Sequence, residues 1–239
     1  MYPSRIVGVG NSCGDPMVSF TLSSKSIPYR QLNFTKDETR ANVFPKVGFE
    51  DHPTNQDPEV DHYSSIVTGK NKLASWAVAF NGHMAKRTHK DLEDGMNPFM
   101  SLDLTLLGFR GARQDARIRG IVYIPKSEDP SYWLGVSNTD TNEKHIRGYP
   151  NPTIQSPKDK LYFIYDKNTT IESCLELDTE RRSPDELAKY VHENLFDGKM
   201  LFGLATGVAV LRDGKFNLGI YNNNFNESTV ERWKKEYSK

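Results

Sequence analysis

Short strand-like runs, each closed by turn chemistry, follow one another along this chain, and that succession constrains its fold more than any single motif. The clearest pair is Thr206 to Leu211 and Phe216 to Tyr221, joined by Arg212-Asp213-Gly214-Lys215. Asp-Gly accepts the positive φ angles of a tight hairpin turn, so the two runs are expected to pair antiparallel. Ile6 to Val9 and Met17 to Leu22 flank a turn segment over Gly10 to Pro16, and Tyr63 to Thr68 and Ala74 to Phe80 flank Gly69 to Lys72. Ile118 to Ile124 and Tyr132 to Val136 flank a turn with proline at both ends, and Leu161 to Tyr165 reads as a further strand.

Helix signals are few. Asn97 suits an N-cap and Pro98 the first helical position, with Phe99, Leu102, Leu106 and Leu107 recurring at helical spacing. Ser183-Pro184-Asp185-Glu186 is a capping box opening a helix that ends near Phe196, with Leu187, Tyr190, Val191 and Leu195 as its apolar stripe. A final amphipathic helix is expected from Ser228 to Tyr237. Strands in runs with few, clustered helices predict an α+β fold of mainly antiparallel sheet rather than βαβ alternation. No linker-like stretch divides the chain, so residues 1–239 are read as one domain.

Composition narrows the function. Hydrophobic residues make up 36% and charged residues 26%, a globular balance that can bury a core without staples. Lys+Arg and Asp+Glu are equal at 31 each, which gives no global field for nucleic acid or an anionic membrane. No apolar run approaches a membrane span, and no signal segment is expected at the N-terminus. Cys13 and Cys174 stand far apart without zinc spacing, which fits a reducing cytoplasm. His83 and His89 lie six apart, suiting neither a helical nor a hairpin metal site, so neither metal nor cofactor is expected.

Several motifs carry candidate chemistry. Gly8-Val9-Gly10 imitates a dinucleotide fingerprint, but Asp15-Pro16 leads into another strand rather than a helix, so a hairpin is expected. Ser23 to Arg30 packs hydroxyls with Lys25 and Arg30, the groups that phosphate recognition needs; a polar surface turn is the plainer reading. Asn81-Gly82-His83 ends an apolar strand, where polar groups can face a cleft and glycine lets a ligand approach. Arg110, Arg113, Arg117 and Arg119 crowd into ten residues, either a solvated face or the wall of an anion pocket.

Taken in order, Met1-Tyr2-Pro3-Ser4-Arg5, Ser24 to Arg30, Tyr63, Phe80-Asn81-Gly82-His83, Gly95-Met96-Asn97 and Ala116-Arg117-Ile118 resemble the archaeal-type IMP cyclohydrolase family. That family's pattern is roughly MYxGR, an R-S-rich stretch ending in arginine, a tyrosine before a strand, SNGxxTD and TPRI. The resemblance covers the N-terminal half in pieces. It implies a four-layer αββα sandwich like that of the N-terminal-nucleophile (Ntn) hydrolases. It also implies a cofactor-free cyclohydrolase of purine biosynthesis, which closes formylated aminoimidazole carboxamide ribotide to IMP and water. Tyr63 and Arg30 are then catalytic with Asp115 the nearest carboxylate, while Ser24, Lys25, Asn81, Gly82, His83 and Arg117 line the substrate. The partner would be a small purine ribotide, in the cytoplasm, and a homo-oligomer is compatible with it. Lys25 stands where the family has arginine, Phe80 replaces the serine of SNG, and Arg110 to Asp115 replaces an acidic stretch. The alternative is a relative that binds a nucleotide-like anion without cyclising it.

Overall fold

The computed structural model describes residues 5–23, 30–45, 63–81, 85–107, 117–138, 143–149, 159–165, 173–195 and 203–223. The expected first hairpin forms from β1 (Arg5–Ser12) and β2 (Asp15–Ser23), but its turn is only Cys13-Gly14. Gly10, Asn11 and Ser12, expected in the turn, stay in the ladder opposite Met17, Pro16 and Asp15. Gly10 serves close packing rather than turning. A Cβ there would lie 1.9 Å from the Lys160 carbonyl oxygen on the neighbouring strand. Cys13 and Gly14 take φ of 53° and 78°, and the Asp159 carboxylate accepts both of their backbone N–H groups.

Eleven further strands follow: β3 (Arg30–Phe34), β4 (Arg40–Pro45), β5 (Tyr63–Lys70), β6 (Ala74–Phe80), β7 (Arg117–Pro125), β8 (Ser131–Asn138), β9 (Glu143–Tyr149), β10 (Lys160–Tyr165), β11 (Ser173–Glu176), β12 (Gly203–Arg212) and β13 (Lys215–Asn222). They form a six-stranded sheet in the order β11-β10-β1-β2-β12-β13 and a seven-stranded sheet running β3 to β9 in sequence. Every ladder is antiparallel. Three helices complete the described residues: α1 (Ala85–Glu93), α2 (Pro98–Leu107) and α3 (Pro184–Asn194). The fold is thus α+β with mainly antiparallel sheets, as the strand runs predicted. No helix among the described residues is long and apolar enough to cross a membrane.

Alternation along the strands decides what meets what. Val7, Val9, Val18 and Phe20 of the first sheet pack with Leu32, Val43, Ile66, Ala79 and Ile118 of the second in one buried cluster, so the sheets face each other. Ile6, Met17 and Phe163 turn the other way and meet Leu187, Ala188 and Val191 of α3. Trp76, Val78 and Ile121 turn outward from the second sheet toward Leu92 of α1 and Leu102 of α2. Each Val, Leu, Ile, Phe or Met among them, fully buried, contributes roughly 1.5–3 kcal/mol.

The two expected helices have the expected starts. Ser183 Oγ accepts the Glu186 amide at 3.3 Å while Glu186 Oε2 accepts the Ser183 amide at 2.8 Å. Asn97 Oδ1 accepts the Phe99 amide at 2.9 Å. Phe99 itself is partly exposed and leans on Trp133. The expected helix from Ser228 to Tyr237 lies outside the described residues. α1 was not foreseen. It ends at Gly95, whose φ of 87° lets Gly95 and Met96 donate back to the Leu92 and Asp91 carbonyls.

The registers bring one set of strand ends together. β1 starts at Arg5, β3 at Arg30 and β5 at Tyr63, while β2 ends at Ser23, β6 at Phe80 and β13 at Asn222. The tight turns at Cys13-Gly14, Asn71 to Leu73 and Asp213-Gly214 all lie at the opposite end.

Candidate functional site

Tyr63 is the hub of the end where those strands start and finish. Regular alternation from Ile66, which faces the gap between the sheets, would send Tyr63 to the outer face. It does not, because the β4–β5 register slips at Ser65: Ala41 pairs with Ile66, yet Asn42 pairs with Ser64 and Val43 with Tyr63. This bulge adds one residue to β5 and turns Tyr63 inward. Ser65 Oγ donates to the Ala41 carbonyl at 2.9 Å and holds the bulge. The Tyr63 ring then meets Phe20 of the first sheet edge-on, with centroids 6.3 Å apart.

Two polar side chains converge on the Tyr63 hydroxyl. It donates to Asn81 Oδ1 at 3.3 Å, and Arg5 Nε donates to it at 3.2 Å. Asn81 follows β6 and is anchored by its own amide, which donates to the Ile118 carbonyl at 3.2 Å. Arg5 opens β1 with the parity of Val7 and Val9, so it reaches into the gap from the other sheet. Arg5 and Tyr63 are both almost wholly buried, at 7% and 5% exposed.

Arg30 starts β3 with the parity of the inward-facing Leu32 and is 2% exposed. One strand, β4, separates it from β5: Arg30 pairs with Pro45, and two residues back along β4 Val43 pairs with Tyr63. Arg30, Tyr63 and Asn81, expected at the site from separate stretches of sequence, therefore belong to one end of the second sheet. Arg117 begins β7 opposite Ser137, at that same end. Ser24, Lys25, Gly82, His83 and Asp115 lie outside the described residues.

Arg119 departs from both readings of the basic cluster. It is neither solvated nor in the gap between the sheets. Its position alternates with the inward-facing Ile118, it is 0% exposed, and its guanidinium lies 4.1 Å from the centre of the Phe80 ring. Farther along the gap, Tyr132 of β8 donates to Asn11 of β1, and burial holds its hydroxyl well above the usual phenol range. That pair fastens the sheets near the opposite end, one residue from where β1 ends and β8 begins.

The sequence reading missed Arg5 as a site residue. Its signal was present: a cation opening an otherwise apolar strand, Arg5-Ile6-Val7, at an inward position. Among the described residues no three His, Cys, Asp or Glu side chains gather in a way that could hold a metal ion. The site is thus a buried phenol held between an amide and a guanidinium, with a second guanidinium on the same face. It can accept an anion and offer a proton to a carbonyl oxygen.

The chain matches no protein-family model and no curated protein.

Proposed function

We propose that this chain is a cyclohydrolase that closes the purine ring of formylated aminoimidazole carboxamide ribotide to give IMP and water. The observation that carries the reading is the meeting of Arg5, Tyr63 and Asn81 at one buried point. They come from three separate pieces of the family-like pattern, and a chance likeness of short motifs gives no reason for them to touch.

The reaction needs little beyond placement and proton traffic. The carboxamide nitrogen attacks the formyl carbon, a C–N bond forms, and the nitrogen's proton leaves while the formyl oxygen gains one. The resulting hydroxyl takes up a proton and departs as water as the ring nitrogen gives up its remaining proton and the C=N bond forms. Arg30 holds the ribotide's anionic end, and Tyr63 donates to the formyl oxygen as charge develops on it. Ser24, Lys25, Gly82, His83 and Arg117 complete the lining in this reading, with Asp115 as the carboxylate and no cofactor taking part. The single domain would be the four-layer, Ntn-hydrolase-like sandwich. Outward contacts of α3 on one sheet and of α1 and α2 on the other support that layering.

The second reading, an anion binder that does not cyclise, is favoured by one feature: Arg110 to Asp115 stands where the family has an acidic stretch. An absorbance assay for IMP formation from the formylated ribotide separates the two. Turnover is expected; ribotide binding without turnover establishes the second reading, and neither removes both.

A further inference from the structure

We propose that Arg5 is a positioning residue that sets the direction in which Tyr63 offers its hydroxyl proton, making Tyr63 the donor of the site. The role in catalysis rests on the cyclohydrolase reading; the hydrogen-bond arrangement does not.

A guanidinium is charged at any ordinary pH and carries only donors. Arg5 Nε–H must therefore donate into the phenolic oxygen, across 3.2 Å. That occupies one lone-pair direction and leaves the hydroxyl's own proton to the other side, where Asn81 Oδ1 accepts it across 3.3 Å. Both contacts are long for their kind, so the Asn81 carbonyl is an acceptor that a better-placed one can replace. A formyl or amide oxygen arriving beside Asn81 meets a hydroxyl already aimed at it, with no reorientation needed at the moment of reaction.

The arrangement is built across the gap. Arg5 belongs to β1 in the first sheet, whereas Tyr63 and Asn81 belong to the second. The Ser65 bulge fixes the ring, the Phe20 edge supports it, and Arg5 donates to its polar tip from the opposite sheet. Without Arg5 the phenolic oxygen loses the donated N–H that sets the hydroxyl's direction from the first sheet.

Placing meta-fluorotyrosine at position 63 gives a fluorine resonance that senses the hydroxyl's partners. Arg5→Met keeps the aliphatic stem and removes every donor; it is expected to move that resonance, and Arg5→Lys to move it less. If Arg5→Met does not fold, Arg5→Gln takes its place in the comparison. An unmoved resonance in a folded donorless or shortened variant overturns the proposal. With the formylated ribotide, Arg5→Met is expected to lower kcat by about 10²-fold while KM stays within about twofold. Arg5→Lys should recover part of that loss, and Arg5→Met should add nothing in a Tyr63→Phe background. Losses that multiply, or a raised KM at unchanged kcat, would mean that Arg5 touches substrate itself and sink the positioning role. If the unmodified chain does not close the ribotide ring, the cyclohydrolase reading fails, and the fluorine comparison still decides what Arg5 does to Tyr63.

Discussion

In the proposed reaction, anion recognition turns on Arg30. A guanidinium almost wholly withdrawn from water is costly to keep unless what surrounds it compensates. Arg30→Ala is expected to weaken ribotide binding by about 2–5 kcal/mol, the range for truncating one partner of a buried charge contact. A calorimetric titration reads this, and an affinity equal to that of the unmodified chain would remove Arg30 from the site. Tyr63, Asn81 and Arg30 came forward in the sequence through the order of the family-like motifs, and the structure sets all three at strand boundaries at one end of the second sheet. Arg5 stands at such a boundary too, but in the sequence the opening motif Met1 to Arg5 hides the single side chain. Arg119 was opaque for another reason. Its burial depends on Phe80 beside it and on the face that β7 turns outward, and neither follows from four arginines in ten residues.

Elements were read well where the hydrophobic period was strong. The hairpin at Asp213-Gly214, the β7–β8 pair and the capped helix α3 all stand where turn and cap chemistry put them. α1 escaped because its buried positions are Ala85, Thr88, Asp91 and Leu92: the spacing is helical but the side chains are small or polar. β9 escaped because it is an edge strand with Ile146 as its lone aliphatic among charges, which also guards it against pairing with other chains. α3 carries a prediction of its own. His192, 4% exposed, is hydrogen-bonded through Nδ1 to Thr206 Oγ1 at 2.9 Å, and Thr206 is bonded in turn to Thr21 Oγ1 at 2.9 Å. Burial pushes the imidazole down to about 4 from an ordinary 6.5. Above pH 6.5 both folded and unfolded chains hold His192 neutral, and its burial carries no proton penalty. As pH falls from 6.5 toward 4 the unfolded chain takes up a proton that the folded chain refuses, so stability drops across that window, by about 3 kcal/mol at its foot. Urea denaturation at a series of pH values should show this slope, and His192→Gln should flatten it. Parallel profiles for the two proteins would contradict the assignment.

At the scale of the whole molecule, two facing sheets must be held in register where their edge strands meet. Asn222, at the end of β13, does this with one amide: its Oδ1 accepts the Leu32 N–H at 2.8 Å and its Nδ2 donates to the Leu32 carbonyl at 2.9 Å. The contact satisfies the backbone of an edge strand and ties the first sheet to the second two residues along β3 from Arg30. Asn222→Ala leaves both backbone groups without this partner and is expected to lower stability by about 1–3 kcal/mol, seen as a lower urea midpoint at unchanged slope. An unchanged midpoint would show that the sheets need no such clasp. The gathering of the tight turns at the far end also has a practical side. A dye, an affinity handle or a solid support coupled at the exposed Asp213-Gly214 turn would hold the molecule by its tail and leave the end that carries Arg5, Tyr63 and Asn81 farthest from the attachment, so every copy captured that way should stand in the same orientation.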